Sequence, residues 1–298
     1  MLYAETALAF QDRVRRGDVC FGVHHSAMSP QLVELYGRVG VDFIIIGMEV
    51  EALDYGKMED LLRAADATRT LPIVKLRRPE AHLVDTVMNA GCSMVMVPHV
   101  STRAQLDHMV RASRFAPEGL RGECPAARYA SFGASYLPDI RRLTNHEVKA
   151  IIPIIEDADA LDHLDEMMSS EDVDIFEIGP FDLSASLGEP GQAYGGTKTM
   201  AAVEQICEAA QKHGKKVLAP LAFSLKQDRS IRDVIQWHMD ELISRGVTLI
   251  YEAEVGILVE CTLNLSVMRK IRIVADDDEV AEPEQVEETE VSAERTTG

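Results

Sequence analysis

Along the chain, short apolar runs alternate with longer amphipathic stretches. Eight runs rich in Val and Ile stand out: Cys20–Val23, Phe43–Ile46, Ile73–Leu76, Met94–Val97, Ile151–Ile155, Ile175–Ile178, Val217–Ala219 and Val247–Tyr251. Each is short enough for a strand buried on both faces. Between them, Pro30–Val39, Lys57–Ala67, Arg78–Asn89, Arg103–Arg114, Ala158–Met168, Met200–His213 and Ile231–Arg245 read as helices. Gly40, Gly91, Gly214 and Gly246 follow four of these, where a left-handed cap is expected before the next strand. Eight strand–helix repeats point to a (β/α)8 TIM barrel, with a doubly wound sheet as the alternative.

One connection is long. Val100–Lys149 holds the helix Arg103–Arg114 and then a Gly-, Arg- and aromatic-rich stretch from Pro117 to Pro138. Loops of this length in a compact domain usually serve function or an interface, and this one is expected on the catalytic side.

At 298 residues and 46% hydrophobic content the chain can bury one core, so residues 1–274 are read as a single domain. After Val274 come ten Asp or Glu against a lone Arg295, nearly half of the formal charge of −19. Residues 275–298 are therefore expected to be a disordered, solubilising acidic tail. An acidic body argues against nucleic-acid binding. No apolar run approaches a membrane span, and the N-terminus lacks a secretory pattern, so a cytoplasmic protein is expected. Cys20, Cys92, Cys124, Cys207 and Cys261 form no CxxC pair and read as buried reduced thiols.

The candidate chemistry lies in Ile151–Gly188. Glu156 ends the fifth run, and Asp182 follows the sixth within Gly179-Pro180-Phe181-Asp182. Ligands bind at the carboxyl ends of parallel strands, so these two acids could share one hard cation.

These residues resemble the HpcH/HpaI aldolases, metal-dependent class II pyruvate aldolases on a (β/α)8 barrel. The resemblance covers roughly Phe21 to Leu258. It rests on Glu156 followed by Ile178–Gly188 (IGPFDLSASLG), on Gly119–Ala130 (GLRGECPAARYA) and on the strand order. It implies that Glu156 and Asp182 bind Mg²⁺, or alternatively Mn²⁺ or Co²⁺, which chelates a 2-oxo acid and stabilises its enolate. It also implies a second carbonyl substrate and a homo-oligomer. Gly179 and Pro180 would contact substrate, and Arg121 and Arg128 would bind a carboxylate of the second substrate or tie the loop to a neighbouring subunit. Ser184 and Ser186 are expected to cap a helix beginning after Asp182.

The chain departs from the family pattern at two catalytic positions. Where the second strand usually ends in Asp-Gly-Glu-His, this sequence has Gly47-Met48-Glu49-Val50, and valine cannot take a proton. The family's Arg at the third strand end is Lys75, which keeps the charge without the bidentate fork. Three explanations stand side by side. A base could be relocated to His24 or His25, with His99 as a further rim residue. The enolate could arise by decarboxylation of a 2-oxo diacid, which needs no protein base. Or the chain could be a non-catalytic homologue. A Schiff base on Lys75, its pKa depressed by Arg77 and Arg78, is a further option, but an anion-holding role comes first.

Overall fold

The computed structural model describes residues 2–49, 53–221 and 231–258. Val50, the acidic segment 275–298 and Cys261 lie outside the described residues. The fold is carried by the unit Met1–Ile257, and almost all of the second unit, Leu258–Gly298, also lies outside.

Eight strands close into one parallel barrel in the order β1 to β8, so the doubly wound alternative does not hold. They are β1 (Cys20–His25), β2 (Phe43–Gly47), β3 (Leu71–Lys75), β4 (Met94–Val97), β5 (Ile151–Ile155), β6 (Ile175–Ile178), β7 (Lys216–Pro220) and β8 (Val247–Ala253). The helices are α1 (Leu2–Arg16), α2 (Pro30–Val39), α3 (Tyr55–Thr68), α4 (Ala81–Asn89), α5 (Arg103–Ser113), α6 (Leu137–Arg142), α7 (Leu164–Met168), α8 (Pro180–Ser186), α9 (Thr197–Lys212) and α10 (Ile231–Ser244). The Val/Ile runs are buried on both faces because helices cover the outside while side chains fill the lumen. Capping marks the helix starts: Asp54 accepts from Lys57 N at 2.8 Å, and Thr102 with Gln105 forms a capping box. Gly40 ends α2 at φ +92°, a conformation glycine adopts without strain.

Helix α1 closes the amino-terminal face of the barrel. Ala4, Ala7, Phe10 and Val14 form its buried stripe, and the Phe10 ring meets Phe43 edge-on at 5.7 Å. Its Arg13 pairs with Asp42, just before β2, and Gln11 donates to Lys149 O, just before β5.

The long connection lies on this same face, opposite the expected catalytic side. Helix α5 intervenes between β4 and the Gly/Arg-rich stretch, so residues 114–150 run from a helix end to the start of β5. Such loops sit at the amino ends of barrel strands. The stretch builds its own small core from Phe115, Tyr129, Ala130 and Ile140. Asn145 locks it by accepting from Phe115 N at 2.8 Å and donating to Phe115 O at 3.1 Å. Cys20, Cys92 and Cys207 are buried, but Cys124, in this stretch, is exposed. No helix among the described residues is long and apolar enough to cross a membrane.

Candidate active site

Strand register decides which side chains enter the lumen, since residues paired across parallel strands share a face. His24 pairs with Ile45, Ile45 with Ile73 and Ile73 with Met94. Two residues along, Lys75 pairs with Gly47 and Met96 and so faces the same way, at the carboxyl mouth. On the far wall Ile154 pairs with Glu177, and Glu177 with Leu218. Glu177 donates nothing but accepts the Tyr251 hydroxyl at 2.6 Å. A bond from β6 to β8 that skips β7 can run only through the interior, so Glu177 and Tyr251 lie in the lumen.

Lys75 thus stands at the mouth among carboxylates. Its Nζ lies 2.7 Å from Glu49 Oε2, just past the end of β2. Burial works to lower its pKa, but Glu177, Glu49 and Glu156 together more than offset this, and the ammonium is held above its ordinary value. Arg77 instead donates through Nε to Met48 O at 3.1 Å, and it is carboxylates, not arginines, that govern the Lys75 charge. An amine poised to form an imine needs the opposite environment.

Glu156 follows β5 directly and is almost wholly buried. Its Oε1 accepts the His99 backbone N–H at 2.8 Å. Its Oε2 packs over Gly179, where a Cβ would lie 2.7 Å from both Oε2 and the Glu156 Cβ. Gly179 therefore leaves room for the Glu156 carboxylate. Its own N–H donates to Ile155 O and its carbonyl accepts from Leu183 N, so both main-chain groups are engaged within the turn rather than offered outward. Pro180 has no N–H and opens α8. Asp182 lies inside the first turn of that helix with its side chain exposed. The helix starts before Asp182, not after it, and Gly179 occupies the cap position. Ser184 donates to Phe181 O, while Ser186 accepts the Ala158 N–H and ties the loop after β5 to α8.

Whether these residues fit a divalent cation is a question of donors and charge. Burial pushes the Glu156 carboxyl up to about 7 against the opposing pulls of Lys75 and His99, and burial pushes Glu177 likewise to about 7. Carboxylates crowded around a single ammonium leave negative charge uncompensated, and Glu156 and Asp182 offer the oxygen donors that Mg²⁺ or Mn²⁺ prefers. Among the described residues no group of three or more His, Cys, Asp or Glu forms a complete cage. A cation held by two carboxylates alone would keep coordination positions for water and substrate.

His99 joins the mouth from the loop after β4. Its Nδ1 lies 3.1 Å from Asp157 Oδ2 and 3.6 Å from Glu156 Oε1, with the side chain 42% exposed. Burial would lower its pKa, but Glu156 and Asp157 outweigh that and raise it. The backbone sits at φ +54°, a strained position for a non-glycine residue.

His24 and His25 part company. His24 points into the lumen, its ring edge-on to Tyr251 at 6.2 Å. His25 is fully buried on the other face. Its Nε2 accepts the Ser29 N–H at 2.9 Å, and Nδ1 lies 3.2 Å from Glu254 Oε2. With Nε2 accepting, Nδ1 carries the proton. Glu254 also accepts from Ser26 N, Ala27 N and Tyr36 Oη, so His25 belongs to a clamp holding the loop after β1 against the end of β8.

Arg121 and Arg128 are not brought to the mouth. Arg121 is buried on the amino-terminal face, its guanidinium 4.2 Å from the Phe115 ring centre and 5.0 Å from that of Tyr129, and it donates to Asn89 Oδ1 at 2.9 Å. Arg128 donates to Ala90 O at 3.0 Å and pairs with Asp66. Gly91, at φ +97°, makes way for it, since a Cβ there would meet Arg128 Nη1 at 2.3 Å. Both arginines pin the long connection to the ends of α3 and α4, far from the carboxyl mouth by topology.

A family model for the HpcH/HpaI aldolase/citrate lyase family matches residues 21–240. The chain is 30% identical over 210 residues to the hydroxypyruvate/pyruvate aldolase of Paraburkholderia phytofirmans, an alignment covering 68% of this chain and 79% of that one. Among solved structures, an HpcH/HpaI aldolase/citrate lyase family protein from Burkholderia cenocepacia aligns with TM-score 0.78 at 26% identity, over 89% of this chain and 99% of the other. The citrate synthase SbnG aligns with TM-score 0.70 at 27% identity, over 87% and 97%.

Proposed function

This chain belongs to the HpcH/HpaI aldolase/citrate lyase family, and from that premise we propose that it makes or breaks a carbon–carbon bond beside the carbonyl of a 2-oxo acid such as pyruvate or oxaloacetate. The observation that carries the reading is Lys75, an ammonium fixed by Glu49 at the barrel mouth beside Glu156.

In this reading Glu156 and Asp182 hold a divalent cation, with Mg²⁺ first and Mn²⁺ or Co²⁺ as alternatives. Such a cation, when bound, supplies Lewis-acid withdrawal of charge from the 2-oxo acid. The chain's own residues do the rest. Lys75 Nζ offers a pre-oriented positive charge to the oxygen on which the enolate charge develops. Glu49 keeps that ammonium from swinging away. His99, anchored through Nδ1 to Asp157, presents Nε2 as the atom that takes a proton from the 2-oxo acid or returns one to the enolate carbon. With a 2-oxo diacid no base is needed. The bond to the departing carboxylate breaks, CO2 leaves, and the electron pair stays as the enolate. A second carbonyl compound then accepts the new bond. The names of a hydroxypyruvate/pyruvate aldolase and a citrate synthase among the similar proteins support a small oxo acid as one partner.

The same reading makes the chain a homo-oligomer. Phe132 and Tyr136, 71% and 70% exposed on the long connection, supply apolar area that assembly would cover.

The test is CO2 release from oxaloacetate with Mg²⁺ or Mn²⁺. We expect release above the metal-only background, abolished by chelation and by Glu156→Gln. No release above background under conditions where the metal binds, together with no aldol product from pyruvate, would favour a non-catalytic homologue.

A further inference from the structure

Glu177 is an acid inside an otherwise apolar strand, and the reaction above does not use it. It is 1% exposed, its Oε1 is taken by the Tyr251 hydroxyl, and its Oε2 is buried with no hydrogen-bond partner among the described residues. Burying a carboxylate with one oxygen unsatisfied is costly, and a glutamine would accept from Tyr251 equally well without a charge to desolvate. What a carboxylate adds is negative charge within the lumen.

Lys75 is the group that would feel it. The lumen register places Glu177 and Lys75 on the inner wall, and the charge of Glu177 pulls on the Lys75 ammonium alongside the hydrogen bond and charge of Glu49 and the charge of Glu156. Among the described residues the one ion pair of Lys75 is with Glu49, which grips it from the mouth. The other groups around Glu177 are the hydroxyls of Tyr251 and Tyr194 and, acting on it through their charges, the carboxylates Glu156 and Glu49, with the His24 ring against Tyr251. Neither Glu177 nor Lys75 forms an ion pair or a hydrogen bond with the carboxylates assigned to the cation.

We propose that Glu177, clamped by Tyr251, is a positioning residue that holds Lys75 as an ammonium from within the barrel while Glu49 holds it from the mouth. The inference rests on the reading that Lys75 faces the 2-oxo acid. It gives the Lys75 and Glu177 pair one physical meaning: a lone flexible lysine in place of a guanidinium needs a second anchor to act as a fixed charge.

The test uses the full-length protein labelled with ¹³C-lysine, following the Lys75 Cε resonance with pH and assigning it with Lys75→Arg. Glu177→Gln keeps the acceptor for Tyr251 and removes only the charge. We expect the Lys75 midpoint to fall by about one pH unit or more in Glu177→Gln and to stay near the wild-type value in Glu177→Asp. Turnover should show the alkaline limb of kcat moving to lower pH in Glu177→Gln, with KM changing less than about threefold. A Lys75 midpoint that does not move in folded Glu177→Gln overturns the proposal, as does an equal fall in Glu177→Asp. If wild type shows no metal-dependent turnover while the midpoint still falls in Glu177→Gln, the reaction assignment fails and the electrostatic anchor stands.

Discussion

Lys75 and Glu49 meet at 2.7 Å on the rim of the barrel mouth, the last residue of one strand gripping the loop that follows its neighbour. Because burial is outweighed by carboxylates, the amine is held charged. Borohydride added with pyruvate should therefore neither inactivate the protein nor add mass to the Lys75 peptide. Lys75→Met should lower kcat by roughly 10²- to 10³-fold, the usual cost of losing one pre-oriented charge or donor. Mass spectrometry and steady-state kinetics read both outcomes.

The buried carboxylates make the metal-free protein lose stability as pH rises from acid to neutral. Glu156 and Glu177 carry folded-state values of about 7, above the ordinary 4.5. A raised acid binds its proton more tightly when folded, so its contribution is complete below the unfolded value and is lost as pH rises through the folded one. Stability of the metal-free protein should thus decline between about pH 4.5 and 7 from these two groups, at up to about 1.4 kcal/mol per pH unit for each. A divalent cation that binds Glu156 should flatten the profile, and Glu177→Gln should remove part of the slope. Urea titrations across this pH range, with and without Mn²⁺, measure it.

His99 should govern the acidic limb of any reaction that needs a base. Its pKa is raised by Glu156 and Asp157 despite burial, so activity requiring neutral His99 is gained as pH rises through a midpoint above the ordinary 6.5. His99→Asn should remove that limb and lower pyruvate turnover by about 10²- to 10⁴-fold while leaving oxaloacetate decarboxylation much less affected. His24→Ala is the control in the lumen; a larger loss there than at His99 would assign the base to His24.

Arg121 should matter for stability and not for chemistry. It is buried between Phe115, Tyr129 and Asn89 on the face opposite the mouth. Arg121→Ala should destabilise by about 2–4 kcal/mol, the range for removing a large buried, partnered side chain. Turnover per folded molecule should stay within about twofold of wild type, as a paired measurement of thermal midpoint and kcat would show.

The barrel was readable because each strand carries its own local signature. Ile151–Ile155 and Ile175–Ile178 are runs whose burial on both faces needs no tertiary information. Glu156 and Asp182 stand out in the sequence as candidates because they sit at or just past strand ends, where this architecture binds ligands. Other features depend on contacts the chain order hides. Glu177 is an acid within an apolar run, but only the closed register shows that it points into the lumen. His25 looked like its neighbour His24 until β8 brought Glu254 against it from the far end of the fold. The long connection that carries Arg121 and Arg128 lies opposite the expected catalytic side because α5 takes the chain across the molecule before that stretch begins. Helix α1 gave no strand–helix repeat to join, and its buried stripe has meaning only against the barrel floor.

The central claim is that this mouth stabilises the enolate of a 2-oxo acid. Proton NMR of the pyruvate methyl group in D2O, with the full-length protein and Mg²⁺ or Mn²⁺, tests it without knowing the second substrate. The account predicts methyl deuteration that needs the cation, is lost in Glu156→Gln and falls steeply in Lys75→Met. Wild-type protein that binds the cation and pyruvate yet leaves the methyl signal undiminished would contradict it.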